Sequence, residues 1–504
     1  MGARALVALF MLLKVALHVA TSAGYGYFRD EFYYLACSDH PALGYVDHPP
    51  LCVIVLAAVR ALVGDSRFAL RLTPALLGAG TVGLVGAMAR RLGGGTWALA
   101  LAMTGALVAP EYLALDHFYS MNAFDIFFWA LAAYVVVRLV QEETPGRWCV
   151  LGVVLGLGLL NKISVLWLGA GLAVGLLATP MRRSLARPGP WLAGLVAAVL
   201  FAPYVVWEIR NGWPTREFIR NATSEKMVHV APLDFVSGQI EMMLPFTLPL
   251  WLGGLLWLLA ARDGGPYRVL AWTYVTVLLI LMASGSSRAG YLAPAYTWLF
   301  AAGGVAAERM LTRPRLAWLR PASVALLLLA GAAIAPLALP VLPVETYIRY
   351  ARALGQAPST EERKELGDLG QFYADMHGWD AIVATVADAY RKLTPEEAAA
   401  ARVFAPDYGV AGAVDLLGRR QGLPAAISGH NNYWLWGPRG WDGRVVIVVG
   451  STEERMRERF ERVERAGTTA CGRCMPYEND RPVWIGRGLR LPVADVWPRI
   501  KHYD

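Results

Sequence analysis

Across the first two thirds of the chain, apolar residues come in long runs separated by short polar turns. A membrane span takes roughly 20 apolar residues to cross a ~30 Å hydrocarbon layer. Runs at about 5–20, 68–89, 97–115, 124–140, 148–160, 165–178, 191–206, 246–260, 269–283, 292–307 and 324–341 therefore predict about eleven transmembrane helices. The shorter run 51–63 predicts an interfacial helix. The first run follows Arg4 and ends near the small residues Ala20 and Ala23, as a signal peptide would. The most polar stretch of the membrane half follows it directly, so it reads as a retained span.

From about residue 345 the pattern changes. Helical periodicity over 378–393 is followed by Thr394-Pro395 and Glu397, which spell a capped helix start over 394–401. A short strand leads through Asp407 into an apolar helix over 410–417, and the β-branched run 445–449 predicts a buried strand. Ser451-Thr452-Glu453-Glu454 caps the charged helix after it. The expectation is a polytopic α-helical membrane domain over 1–344 and a soluble α/β domain over 345–504.

Composition sharpens the division. Of 504 residues, 56% are apolar and 17% charged, and the mean hydropathy is +0.40, which excludes a disordered chain and argues against a soluble multi-domain one. Residues 1–344 hold 25 Lys/Arg and 17 Asp/Glu, whereas 345–504 hold 22 of each, so the net +8 belongs wholly to the membrane half. No basic stripe with interleaved aromatics appears, which speaks against a nucleic-acid partner.

Short basic loops mark the cytoplasmic side. With the N-terminus inside, the inner turns carry Arg90/Arg91, Arg138 with Arg147, Arg182/Arg183/Arg187, Arg262/Arg268 and Arg309/Arg313/Arg315/Arg320. That assignment puts 24–67, 116–122, 161–164, 208–245, 284–291 and the tail on the outer side of a cell (inner or plasma) membrane.

The loop 24–67 is the segment richest in chemistry. Asp30 and Glu31 stand side by side among aromatics, followed by Asp39-His40-Pro41 and by Asp47-His48-Pro49-Pro50. A carboxylate partly desolvated at a membrane interface suits a general base, because burial raises its pKa toward the operating range. Simple solvation of an interfacial loop is the bland alternative.

The Asp-Glu pair with Tyr33-Tyr34, then His48-Pro49-Pro50, Arg71-Leu72-Thr73-Pro74, Asp116-His117-Phe118 through Asn122 and Asp125, and a turn at Lys162 resemble the GT-C glycosyltransferases. The resemblance covers most of residues 1–340. It is to family 39, the protein-O-mannosyltransferase type, and to the bacterial aminoarabinose and core-sugar transferases.

The resemblance implies a transferase that takes a polyprenyl-phosphate-linked sugar on the outer face and transfers it with inversion to a lipid, glycan or protein acceptor. It implies Asp30 as the base, with Glu31 orienting it or touching the acceptor or a metal. Cations on the same side would hold the leaving phosphate. Arg29, Lys162 and Arg288 are the candidates, the last before Gly290-Tyr291, where the family pattern has Lys. Tyr33, Tyr34, His48, Asp116, His117, Asp125 and Tyr291 complete the expected substrate-binding set. His40, His48 and His117 are available to a divalent ion, although no fixed spacing selects one.

The tail is expected to be non-catalytic, and Cys471/Cys474 could pair on an oxidising side. The rival reading is a lipid or glycolipid transporter, which would use the same cations and apolar bulk but usually shows repeated halves.

Overall fold

In the computed structural model, which describes residues 2–504, each of the eleven apolar runs is helical. Six helices are each long and apolar enough to cross a membrane: Ala3–Thr21, Arg67–Arg91, Met121–Gln141, Pro188–Arg210, Gly265–Ser284 and Pro314–Ala338. Two bent pairs raise the number to eight if each is one span. The expected eleven is thus not reached by single long helices. Proline marks several of the breaks, because it lacks an N–H and starts a helix far better than it continues one, while Pro74, Pro203 and Pro336 are carried inside three of the long helices. Val165–Leu177 gives way at Pro180 to a segment turned by 102°, and Pro245 begins a helix turned by 91° from Pro232–Met242. Thr96–Val108 likewise stops before Pro110.

Small residues bring the helices together, as lipid-embedded bundles require when solvent supplies no hydrophobic drive. A Cβ on Gly254 would lie 2.2 Å from the Leu299 carbonyl oxygen, and one on Gly303 would lie 2.0 Å from that of Leu250. Gly152 and Gly156 face Ala193 and Ala197 in the same way. One charge sits deep in the bundle. Lys14, on Ala3–Thr21, is fully buried and pairs with Asp116 at 2.8 Å, beneath a Gly78 that leaves no room for a side chain.

The C-terminal part carries a five-stranded sheet in the order β2-β1-β3-β5-β4. The strands are β1 (Arg402–Phe404), β2 (Ala426–Ile427), β3 (Val445–Val449), β4 (Phe460–Thr468) and β5 (Pro482–Leu489). β1 runs parallel to β2 and β3, whereas β5 runs antiparallel to β3 and β4. All five residues of β3 are buried, as its unbroken β-branched run predicts. Thr394 and Glu397 form the reciprocal capping box at Pro395–Ala400, and Thr452, not Ser451, caps Glu453–Arg459.

The helix Tyr408–Leu417 docks this part onto the loop helix Arg29–Ser38. Asp407 caps it, accepting from the backbone N–H groups of Gly409 and Val410 at 2.9 and 3.0 Å. Gly412 has to be small: a Cβ there would come within 2.7 Å of the Phe32 Cβ and 2.9 Å of its carbonyl.

Candidate functional site

Pro-free and short, Arg29–Ser38 opens with its two acids in the first turn, where the helix dipole favours negative charge. Glu31 reaches back and accepts the Phe28 N–H at 2.8 Å. Arg71 grips the same carboxylate with two bonds, Nε to Oε1 at 3.1 Å and Nη2 to Oε2 at 2.9 Å. The Tyr119 N–H adds a fourth at 3.1 Å. Glu31 is wholly buried. Four donors thus occupy the lone pairs of this carboxylate. Arg71 also donates to the carbonyls of Ser22, Gly24 and Gly26, so the pair fastens the entry to the loop helix.

Asp30 stands differently. Its Oδ1 accepts from the Tyr408 hydroxyl at 2.8 Å, while no hydrogen bond within the described residues reaches Oδ2, and the side chain is only partly covered. Burial pushes its pKa up, opposed by the Tyr408 hydrogen bond and by Arg29. Arg29 pairs with Asp407 at 3.3 Å, lies over the Tyr408 ring and donates to the Tyr477 hydroxyl. Burial would raise Asp407, but Arg29 and Arg481 outweigh it and hold the carboxyl well below the usual range. Behind them Asp375 and Glu478 are pushed up by burial to about 7 and about 8.

The remaining expected residues separate into four groups. Tyr33, Tyr34 and His48 form a buried aromatic wall. Tyr33 donates to Asp47 at 2.9 Å, Tyr34 accepts from the Met121 N–H, and the His48 ring stacks on Tyr34 at 4.9 Å. Asp116 and His117 turn into the bundle, the first to Lys14 and the second to Thr21 and Arg71 at 3.4 and 3.5 Å. Lys162 binds Asn122 at 2.8 Å and Asp125 at 3.4 Å, with Tyr291 under its ammonium at 5.3 Å. Ser164 holds Asp125 with two contacts of 2.9 Å. Arg288 meets Glu362 at 2.8 Å and Glu361 at 3.5 Å, and Lys226 shares Glu362 at 3.7 Å.

His40, His48 and His117 each have separate partners and gather no common ligand set. His40 stacks flat on Trp436 at 4.1 Å beside Arg439. Among the described residues, His430, His502 and Asp504 have metal-compatible spacing, with ligand atoms within 4.8 Å of one another. Both His430 nitrogens are nevertheless engaged, Nδ1 by the Tyr408 N–H and Nε2 by the Asp504 carbonyl. Cys471 and Cys474 are disulfide-bonded, beside Gly378.

Lys14, Asp47, Lys226, Asp407, Tyr408 and Tyr477 were not among the expected site residues. Lys14 carried a signal, a lone cation one turn before His18 in an apolar run. Tyr408 carried none, since its partner lies 378 positions away.

Comparison with known proteins agrees with this architecture. The family model for dolichyl-phosphate-mannose-protein mannosyltransferase matches residues 47–207. The lipid A galacturonosyltransferase RgtD of Rhizobium johnstonii is 26% identical over 274 residues, 53% of this chain and 56% of RgtD. The match thus spans about half the length of that curated relative. ArnT from Cupriavidus metallidurans, solved with undecaprenyl phosphate, superposes with a TM-score of 0.61 at 16% identity over 95% of this chain and 97% of its own. The Archaeoglobus fulgidus oligosaccharyltransferase gives 0.50 at 14%, over 82% and 63%. The matches are to transferases, and the transporter reading finds no support among them. With its apolar helices and these likenesses taken together, the chain is a multi-pass membrane protein with the fold of the GT-C glycosyltransferases.

Proposed function

We propose that the protein moves a sugar from a polyprenyl-phosphate donor to an acceptor hydroxyl on the extracytoplasmic face, with inversion and with Asp30 as the general base. One contrast carries this reading. Of two adjacent carboxylates, Glu31 is saturated by four donors, whereas Asp30 is fixed through Oδ1 and keeps Oδ2 for a proton.

In the step proposed, the acceptor oxygen attacks the anomeric carbon from the face opposite the phosphate. The new C–O bond forms as the sugar–phosphate bond breaks. Asp30 takes the hydroxyl proton, and the polyprenyl phosphate leaves with the bonding electron pair. Developing charge on that phosphate calls for nearby cations. Lys162, backed by Tyr291, and Arg288 suit the role, and Glu361, with its side chain about half exposed, is the anion a phosphate would displace from Arg288. The undecaprenyl phosphate bound by ArnT supports a lipid phosphate of this class as the leaving group. The N-terminus is then cytoplasmic and the C-terminal part extracytoplasmic, which suits the Cys471–Cys474 disulfide. Glu31 and Arg71 act here as positioning residues.

Membranes holding the full chain, given a labelled polyprenyl-phosphate sugar, should transfer label to the acceptor fraction. Asp30→Asn, at equal abundance, should abolish the transfer. Undiminished transfer by that variant would remove Asp30 from the mechanism.

A further inference from the structure

Consecutive residues of the C-terminal part meet consecutive residues of the loop helix: Asp407 pairs with Arg29, and Tyr408 with Asp30. Three features hold that register. Asp407 is fixed as the cap of Tyr408–Leu417. Gly409 and Gly412 let this helix lie directly on Arg29 and Phe32. The Tyr408 ring packs on Tyr33 at 4.6 Å and on His430 at 4.7 Å, with the Arg29 guanidinium over its face, so its hydroxyl has one direction in which to point.

We propose that Tyr408 is a positioning residue for Asp30, and that the C-terminal part therefore completes the catalytic site instead of standing beside it. The proposal rests on the reading of Asp30 as the base. By donating to Oδ1, the phenol holds the carboxylate in one rotamer with Oδ2 facing the acceptor. A donor to the ionised form also stabilises it, countering desolvation, so that the base is unprotonated at working pH.

Other groups bear on the same carboxylate. Arg29 on its own helix and Lys226 from the long loop favour ionisation, while Asp47 opposes it. Asp375 is a further neighbouring acid, and Tyr34 a neighbouring phenol. Tyr408 is the one whose hydroxyl bonds the carboxylate directly.

The test is the pH profile of kcat/KM for the full-length protein in membranes or detergent, for wild type, Tyr408→Phe and Asp30→Asn. A hydrogen bond to a charged group is enough to move its pKa by about one unit. Tyr408→Phe should therefore shift the acidic limb upward by about one pH unit. It should be about tenfold slower below that limb and regain most of its activity above it.

A merely structural loss would scale the profile evenly at every pH, and that result, or an unmoved limb, overturns the proposal. If Tyr408→Phe fails to fold, 3-fluorotyrosine at position 408 keeps the shape and is a stronger donor. The limb should then move downward, and an unmoved limb again overturns the proposal. Activity retained by Asp30→Asn would refute the base itself. A dead Asp30→Asn beside an unshifted Tyr408→Phe would refute Tyr408 alone.

Discussion

Replacing Arg71 with Met should show how firmly the loop helix is fastened. Arg71 donates twice to Glu31, at 3.1 and 2.9 Å, and reaches the carbonyls of Ser22, Gly24 and Gly26 at 2.9, 3.3 and 2.7 Å. Side-chain exposure is 2% for Arg71 and 0% for Glu31. Removing one partner of a buried pair costs roughly 3–5 kcal/mol, mostly for the charge left behind.

Two backbone N–H groups still serve Glu31 after the change, which places Arg71→Met near the low end, at about 3 kcal/mol. Glu31→Gln should cost less, about 2 kcal/mol, because Arg71 keeps its three carbonyls and gains an amide oxygen. The double variant leaves no orphaned charge, so its cost should fall short of the sum by about 2 kcal/mol. Unfolding of the purified protein by SDS titration, followed by circular dichroism, gives all four corners of the cycle. Additivity to within about 0.5 kcal/mol would mean that the two groups do not sense each other, and the fastening argument would fail.

Two further outcomes follow from the buried groups behind Asp30. Glu478 has both oxygens buried without partners, and its pKa is pushed up to about 8 from the ordinary 4.5. Between those values the folded chain holds a proton that the unfolded chain has released, so this group makes stability fall as pH rises. Glu478→Gln should flatten that slope, raising the thermal midpoint at pH 8 while changing little at pH 4; parallel wild-type and variant curves would contradict it. Cys474→Ser opens a loop of three residues' separation, worth about 2 kcal/mol by chain entropy, and loosens the segment that brings Tyr477 to Arg29. Its denaturation midpoint should fall to that of the reduced wild type, and a gap between the two would refute the assignment of the loss to the disulfide.

Local structure was largely legible in the sequence. Thr394 and Glu397 form the expected capping box, Val445–Val449 is the expected buried strand, and the apolar runs are helices. These features depend on neighbours within a few positions, which periodicity and capping rules capture. The Asp-Glu pair drew attention to the right segment, but composition could not tell its members apart. The difference between them lies in Arg71, Tyr119 and Tyr408, supplied from 40, 88 and 378 positions away. Span lengths were less legible, since the run 97–115 is split before Pro110 whereas Arg67–Arg91 continues through Pro74. The tail gave no sign that one of its tyrosines would face Asp30.

The Lys14–Asp116 pair has a consequence for biogenesis. A lysine at the centre of an inserting helix is unfavourable by about 2.5–3.5 kcal/mol on translocon scales, and here its counter-charge is encoded about one hundred residues downstream. At ribosomal speeds of about 5–20 residues per second, the ammonium waits on the order of 5–20 s for its mate. Meanwhile its four-carbon stem can lift the charge toward the nearer headgroups. The helix Ala3–Thr21 thus carries an unpaired charge until a later segment arrives to neutralise it.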